Sequence, residues 1–381
     1  MSAELAKIKV PSLAGRLEQG KLVKLKKVFE DLRKVEDGKA TVFENTDLVK
    51  FAIELARPDI LQHQDVSVQW LAAACSLQVF RVFYPEVPYC DPQMIKLVLE
   101  LYLRRMKSPP APGSQQFWYY YNILEVASSI KVFGLCHNYD LVDIGKQVIR
   151  TCINTVSVVQ NKPKAVSSMV KIIEHYLSSA ETISRDILDM VLMPLVNQSK
   201  NPAAYELCRE LWMTASADLE PFLQSLYSSS LGLSNGPKEE EEPCLAIQHI
   251  NDIILELHKI SPAVLNTILP QMEYRLKVEE ETVRIETVQL LGRMFAEEAS
   301  LLAQENMSLW QSFCGRFQDV SVKVRLQCIK LSQFLLVYHP EIRRATAGNS
   351  YVGTWKCYTN YSVKGELSPE STISQMKTAT S

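Results

Sequence analysis

Apolar side chains recur along this chain every three to four positions. Between Leu22 and Leu32 the apolar residues at 22, 25, 28, 29 and 32 fall on one stripe, and the lysines fall mostly on the opposite face. The same period predicts helices over 47–56, 66–83, 93–106, 116–132, 139–156, 165–177, 184–196, 203–215, 220–231, 244–257, 263–276, 282–296, 308–317 and 320–338. Strand-like alternation bounded by hairpin turns is missing up to residue 344, so the predicted class is all-α. Connections are short, as at Tyr84-Pro85-Glu86-Val87-Pro88, Lys200-Asn201-Pro202 and Ser261-Pro262. In the last, Ser261 is the expected N-cap and Pro262 the first helical residue. Two connections are longer: a Pro-rich loop at 108–113 and an acidic loop at 234–243, read as a solvated linker against the competing reading of a site for a basic partner. Beyond Arg344 the stripe disappears, and residues 345–381, rich in Ser and Thr, are predicted to be a disordered tail.

Helices of this length joined by short turns predict a solenoid of helix pairs, and internal repetition supports it. Asp65-Val66-Ser67-Val68 returns as Asp319-Val320-Ser321-Val322, with Leu77, Phe80 and Tyr84 in register with Leu331, Phe334 and Tyr338. Val283-Arg284 and Val324-Arg325 lie 41 residues apart. Asp319 followed by Val324-Arg325 has the pattern that opens the second helix of a HEAT repeat, in which the Asp caps the helix and the Arg packs between repeats. A period of ~40–47 residues predicts roughly eight helix pairs over 19–344, after an N-terminal segment 1–18.

Composition narrows the function. The 381 residues carry 41 basic and 43 acidic side chains, a net charge of −2 that excludes a general polycation. The local cluster Lys21, Lys24, Lys26, Lys27, Arg33 and Lys34 is read as a solvated helix face, with DNA contact or an import signal as the competing reading. No stretch approaches ~18 uncharged apolar residues, and the first 25 residues have no apolar core of a secretory signal. The nine cysteines form no C-x-x-C and are expected to be buried thiols in a reducing compartment. Gly-rich phosphate loops, H-E-x-x-H, G-x-S-x-G and the kinase motifs are all missing, and the six histidines are scattered. The expectation is therefore no enzyme, no cofactor and no metal. The aromatic run from Phe117 to Tyr121 sits inside a helical pattern and is read as packing between repeats, not as a base-stacking platform.

One segment stands apart. Pro85 and Pro88 force extended backbone directly after the long helix ending at 83. That would display Tyr84, Val87 and Tyr89 on a rigid turn with the Glu86 carboxylate beside them. The candidate partner-binding residues are thus Phe83, Tyr84, Pro85, Glu86, Val87, Pro88 and Tyr89, the competing reading being an ordinary interhelical turn. The run from Phe80 to Tyr89 resembles the phenylalanine-arginine stretch and alanine-proline motif of the sister chromatid cohesion proteins called precocious dissociation of sisters. The runs 268–277 and 309–319 resemble two further blocks of that family, in the same order and spacing. Pro85, Glu86, Pro88 and Tyr89 keep the family motif, whereas Tyr84 and Val87 stand where the family carries alanines. The resemblance implies a HEAT-repeat (armadillo-type) superhelical solenoid. It also implies a non-enzymatic, nuclear, chromosome-associated scaffold that regulates cohesin release or maintenance in mitosis, with the cohesin complex, Wapl and sororin as partners. A HEAT-type adaptor or transport scaffold outside cohesin, and a truncated decoy that binds cohesin regulators, are the alternative readings.

Overall fold

The computed structural model describes residue 5 and residues 8–13, 19–231, 244–297 and 300–338, for 332–334 and 336–338 the backbone only. The acidic loop 234–243, the predicted tail 345–381 and most of segment 1–18 lie outside the described residues. Among the described residues every regular element is helical. Their contacts group into two compact units, Met1–Asp218 and Leu219–Ser381.

The first unit holds α1 (Gln19–Leu32), α2 (Thr46–Leu55), α3 (Pro58–Leu61), α4 (Val66–Phe83), α5 (Pro92–Met106) and α6 (Gln115–Ser129). After these come α7 (Leu135–Asn138), α8 (Val142–Val159), α9 (Pro163–Ser178), α10 (Arg185–Val196) and α11 (Pro202–Thr214). α1, α4, α6, α9 and α11 pack side by side in one layer, while α5, α8 and α10 form a second layer against them. Local chemistry sets where the helices begin. The carboxylates of Asp65 and Asp91 accept the amides of Ser67 and Gln93 at 2.8 and 2.9 Å, and Ser114 Oγ accepts the Phe117 amide at 3.1 Å. Among the described residues α4 is the one helix long and apolar enough to cross a membrane, with a mean hydropathy of 1.3. Neighbouring helices bury 83% of it, which makes it the core helix of the unit. The aromatic run does pack between repeats: Tyr119 and Tyr120 are buried, Phe29 of α1 meets Trp118 and Tyr119 edge-on, and Trp70 of α4 meets Tyr120. Arg33 from the basic cluster lies 4.8 Å over the Trp118 ring.

α12 (Ser216–Ser230) runs from the unit boundary into the second unit. There follow α13 (Leu245–Gln248), α14 (Ile250–Ile260), α15 (Leu269–Arg275), α16 (Glu281–Phe295), α17 (Leu302–Glu305), α18 (Met307–Gly315) and α19 (Val322–Tyr338). α14, α16 and α19 form one layer, with α15 and α18 paired in the other. At the crossing of α16 and α19, a Cβ added to Gly292 would lie 2.4 Å from Leu331 Cδ1, so a larger residue there would have to push the Leu331 side chain aside. The inter-repeat arginine is Arg284, not Arg325. Arg284 of α16 donates from Nε and Nη2 to the two carboxylate oxygens of Asp319, 2.9 Å each, and both side chains are buried. Arg325 turns back onto the carbonyls of Asp319 and Val320.

Several predicted helices are shorter than their periodicity. The 116–132 helix stops at Ser129, where the hydroxyls of Ser128 and Ser129 donate to carbonyls within their own helix and Lys131 takes a left-handed conformation, φ 51°. The 263–276 stretch becomes a 3-10 turn, Pro262–Leu265, and then α15, because Pro270 brings no amide and suits only a first turn. Ser261 precedes that turn without a side-chain capping bond. The eight described cysteines are free thiols, six of them buried, and burial pushes Cys136, Cys152, Cys208 and Cys314 up to about 12. Cys90 is exposed.

Candidate partner-docking site

The turn after α4 is held from beneath and from one side. Tyr84 ends the helix with φ −50° and ψ 134°, extended as its prolines require, and the Tyr84–Pro85 peptide is cis. A strap formed by residues 37–42 runs along it and presents alternate amides: Gly38 donates to the Arg81 carbonyl at 3.1 Å, Ala40 to the Val82 carbonyl at 3.0 Å, and Val42 to Glu86 Oε2 at 2.9 Å. Gly38 has φ +65°, and a Cβ there would meet the Tyr84 carbonyl oxygen at 2.6 Å, so the strap needs glycine on both counts. Below the turn, Arg81 is buried and satisfied in three directions. It donates to the Leu32 carbonyl and to Gln78 Oε1, each at 2.8 Å, and forms an ion pair with Asp37. Gln78 passes the chain on to Asn122 at 3.1 Å.

The seven predicted residues divide by burial. Tyr84, Pro85 and Glu86 are exposed and Val87 is half-buried. Phe83, Pro88 and Tyr89 are buried. Tyr89 is therefore not displayed. Its ring packs on Phe80, centroids 5.2 Å apart, and its hydroxyl is buried without a partner. Burial raises that phenol far above its ordinary range. The exposed residues form one wall of a cleft of about 200 Å³, with Phe80 and Ile130 at its apolar base. Lys131, Asn138 and Ser179 also line it, none of them a sequence-predicted site residue. A left-handed residue between a helix and a 3-10 turn places Lys131 there, and nothing in the local sequence around 84–89 points to it. The cleft is thus lined by a carboxylate, Glu86, and an ammonium, Lys131, together with an apolar base. Behind it, His175 is lowered from its ordinary value by burial and by the charges of Lys131 and Lys171, which favours its neutral form.

Among the described residues no group of three His, Cys, Asp or Glu side chains is placed to hold a metal ion. Helix pairs stacked in two layers, with a bidentate Arg–Asp pair between successive repeats and a braced turn beside a shallow cleft, define a HEAT-type repeat protein. The chain belongs to the PDS5 family: the family model described as "Sister chromatid cohesion protein PDS5 protein" matches residues 21–350. It is 32% identical over 304 residues to sister chromatid cohesion protein PDS5 homolog B-A of Xenopus laevis, covering 79% of this chain and 21% of that protein. It is 31% identical over 299 residues to PDS5 homolog B of Homo sapiens, covering 78% and 20%. The chain spans about a fifth of the length of these relatives. A solved chain from the structure of the Pds5–Scc1 complex superimposes with a TM-score of 0.73 over 88% of this chain and 52% of that one, at 16% identity. That likeness establishes the HEAT-repeat solenoid fold.

Proposed function

We propose that this chain is a non-enzymatic, nuclear, chromosome-associated scaffold in sister chromatid cohesion, which holds cohesin and its regulators together by surface contact. Membership of the PDS5 family supports the process, and the braced cleft at 84–87 supports the mode. A short partner segment carrying an aromatic ring and an arginine fits it: the ring lies against Tyr84 and Val87, and the guanidinium pairs with Glu86, a charge-assisted contact worth ~1.5–3 kcal/mol. Little ordering is required, because Pro85 and the 38–42 strap already hold the turn. Wapl and sororin are the regulators in question.

The test is calorimetry with Wapl- and sororin-derived peptides against the whole chain and its Glu86→Gln variant. Glutamine keeps an acceptor for the Val42 amide and removes only the charge. The expected result is unchanged helicity and at least tenfold weaker binding, about 1.4 kcal/mol. Unchanged affinity would remove the cleft from the mechanism. Immunoprecipitation with antibodies to cohesin subunits and to Wapl checks the wider reading, and recovery of the chain with neither would end it.

A further inference from the structure

A second groove opens in the first unit between α8, α10 and α11, with a volume of about 290 Å³. That is the small end of ligand pockets, room for one or two side chains. Its base is apolar and adaptable: Ile153 of α8, and Met190, Met193 and Pro194 of α10. Pro194 lies inside α10 and has no amide proton, so the Met190 carbonyl lacks the donor it would meet four residues on. A main-chain acceptor is thereby freed on the helix that lines the groove. Across from it the Asn154 side chain is exposed and has no hydrogen-bond partner among the described residues. A carboxamide of this kind matches the donor and acceptor of a peptide unit.

The charges at the rim favour one sign. Arg150 and Lys200 are both exposed, and neither forms an ion pair among the described residues. Lys146, one turn from Arg150, is neutralised by Asp186 at 3.1 Å. Asp189 is the single carboxylate lining the groove. The rim therefore carries a net positive charge.

We infer that this groove takes an extended protein segment with one aliphatic residue flanked by carboxylates. The aliphatic side chain seats between Ile153 and the two methionines. Asn154 and the Met190 carbonyl bond the segment's main chain, and Arg150 and Lys200 select its acidic flanks. The apolar base and the lack of any aromatic ring in the groove favour a peptide over a nucleic acid strand.

The probe is a random dodecapeptide phage library, selected in parallel on the whole chain and on an Arg150→Glu/Lys200→Glu variant shown by circular dichroism to keep its helicity. The expected outcome is enrichment of sequences with a Leu, Ile or Met between Glu or Asp residues. That enrichment should fall at least tenfold on the variant and persist on Glu86→Gln, which keeps this groove distinct from the cleft at 84–87. A synthetic peptide of the winning sequence should lose affinity at least fivefold on Asn154→Ala. No enrichment, enrichment of non-acidic sequences, enrichment retained on the charge-reversed variant, or displacement of the peptide by a DNA or RNA oligonucleotide would each overturn the proposal.

Discussion

Asp65 and Asp319 begin the same four-residue sequence, and each accepts the amide two residues on, Ser67 or Ser321, at 2.8 Å. From there the two diverge. Asp65 stays exposed at the start of α4, where its carboxylate caps the helix and its amide donates to His63 Nδ1 at 3.0 Å. Asp319 is shut away from solvent, takes both arms of the Arg284 guanidinium, and accepts a further bond from Arg316 at 3.0 Å. Burial alone would raise the Asp319 carboxyl; Arg284, the Ser321 amide and Arg316 outweigh that and hold it below the usual aspartate range. A cap is written within three residues, whereas burial depends on what the preceding repeat places overhead. In the second unit that is Arg284.

This contrast can be broken by removing one partner at a time. Asp319→Ala leaves Arg284 charged and buried without its carboxylate partner, held only by the Val278 and Glu279 carbonyls, and should cost about 3–5 kcal/mol in urea unfolding followed by circular dichroism. A loss under ~1 kcal/mol would mean the pair is solvated. Replacing both partners by apolar residues, Arg284→Met with Asp319→Leu, should recover at least ~2 kcal/mol of that loss, since the isolated buried charge goes with its partner. A double variant as unstable as the single one would show that the pair itself, and not the orphaned charge, sets the cost. A third test is acid. The Asp319 carboxyl is depressed in the folded chain, so its contribution is complete above the ordinary aspartate pKa of ~3.9 and drains away as pH falls from there through the lower folded value. Wild-type stability should therefore fall more steeply over that window than that of Asp319→Asn; parallel curves would contradict the assignment. The smallest effect belongs to the other copy: Asp65→Ala should cost only ~1 kcal/mol, the loss of one helix cap.

The helical class was legible because the apolar stripe is long and regular, and the bounds 66–83 predicted for α4 are those observed. The repeat spacing carried more than its first reading. It paired Val283-Arg284 with Val324-Arg325, and the structural role falls to the earlier arginine, because the Asp319 carboxylate, besides accepting the Ser321 amide of its own segment, reaches the preceding repeat, whereas Arg325 turns back onto local carbonyls. The short turns α3, α7 and α17 escaped notice, since four residues cannot display a period. The docking site was half legible. Prolines mark an extended turn in any context, but which way Tyr89 points is decided by Phe80 beneath it. Lys131, Asn138 and Ser179 reach the cleft from two later segments. No local pattern announces lining residues brought in by the next repeat.

The bond between Glu86 and Val42 is asymmetric in a way that bears on how this surface can drift over generations. The donor is a main-chain amide, so every residue but proline at position 42 supplies it equally well. The acceptor is a side chain, and only a few replacements at 86 keep an oxygen within reach. Position 42 is thus free to wander while position 86 is anchored. Comparison of related chains would then see a solitary invariant carboxylate with no covarying partner, although the two are in direct contact.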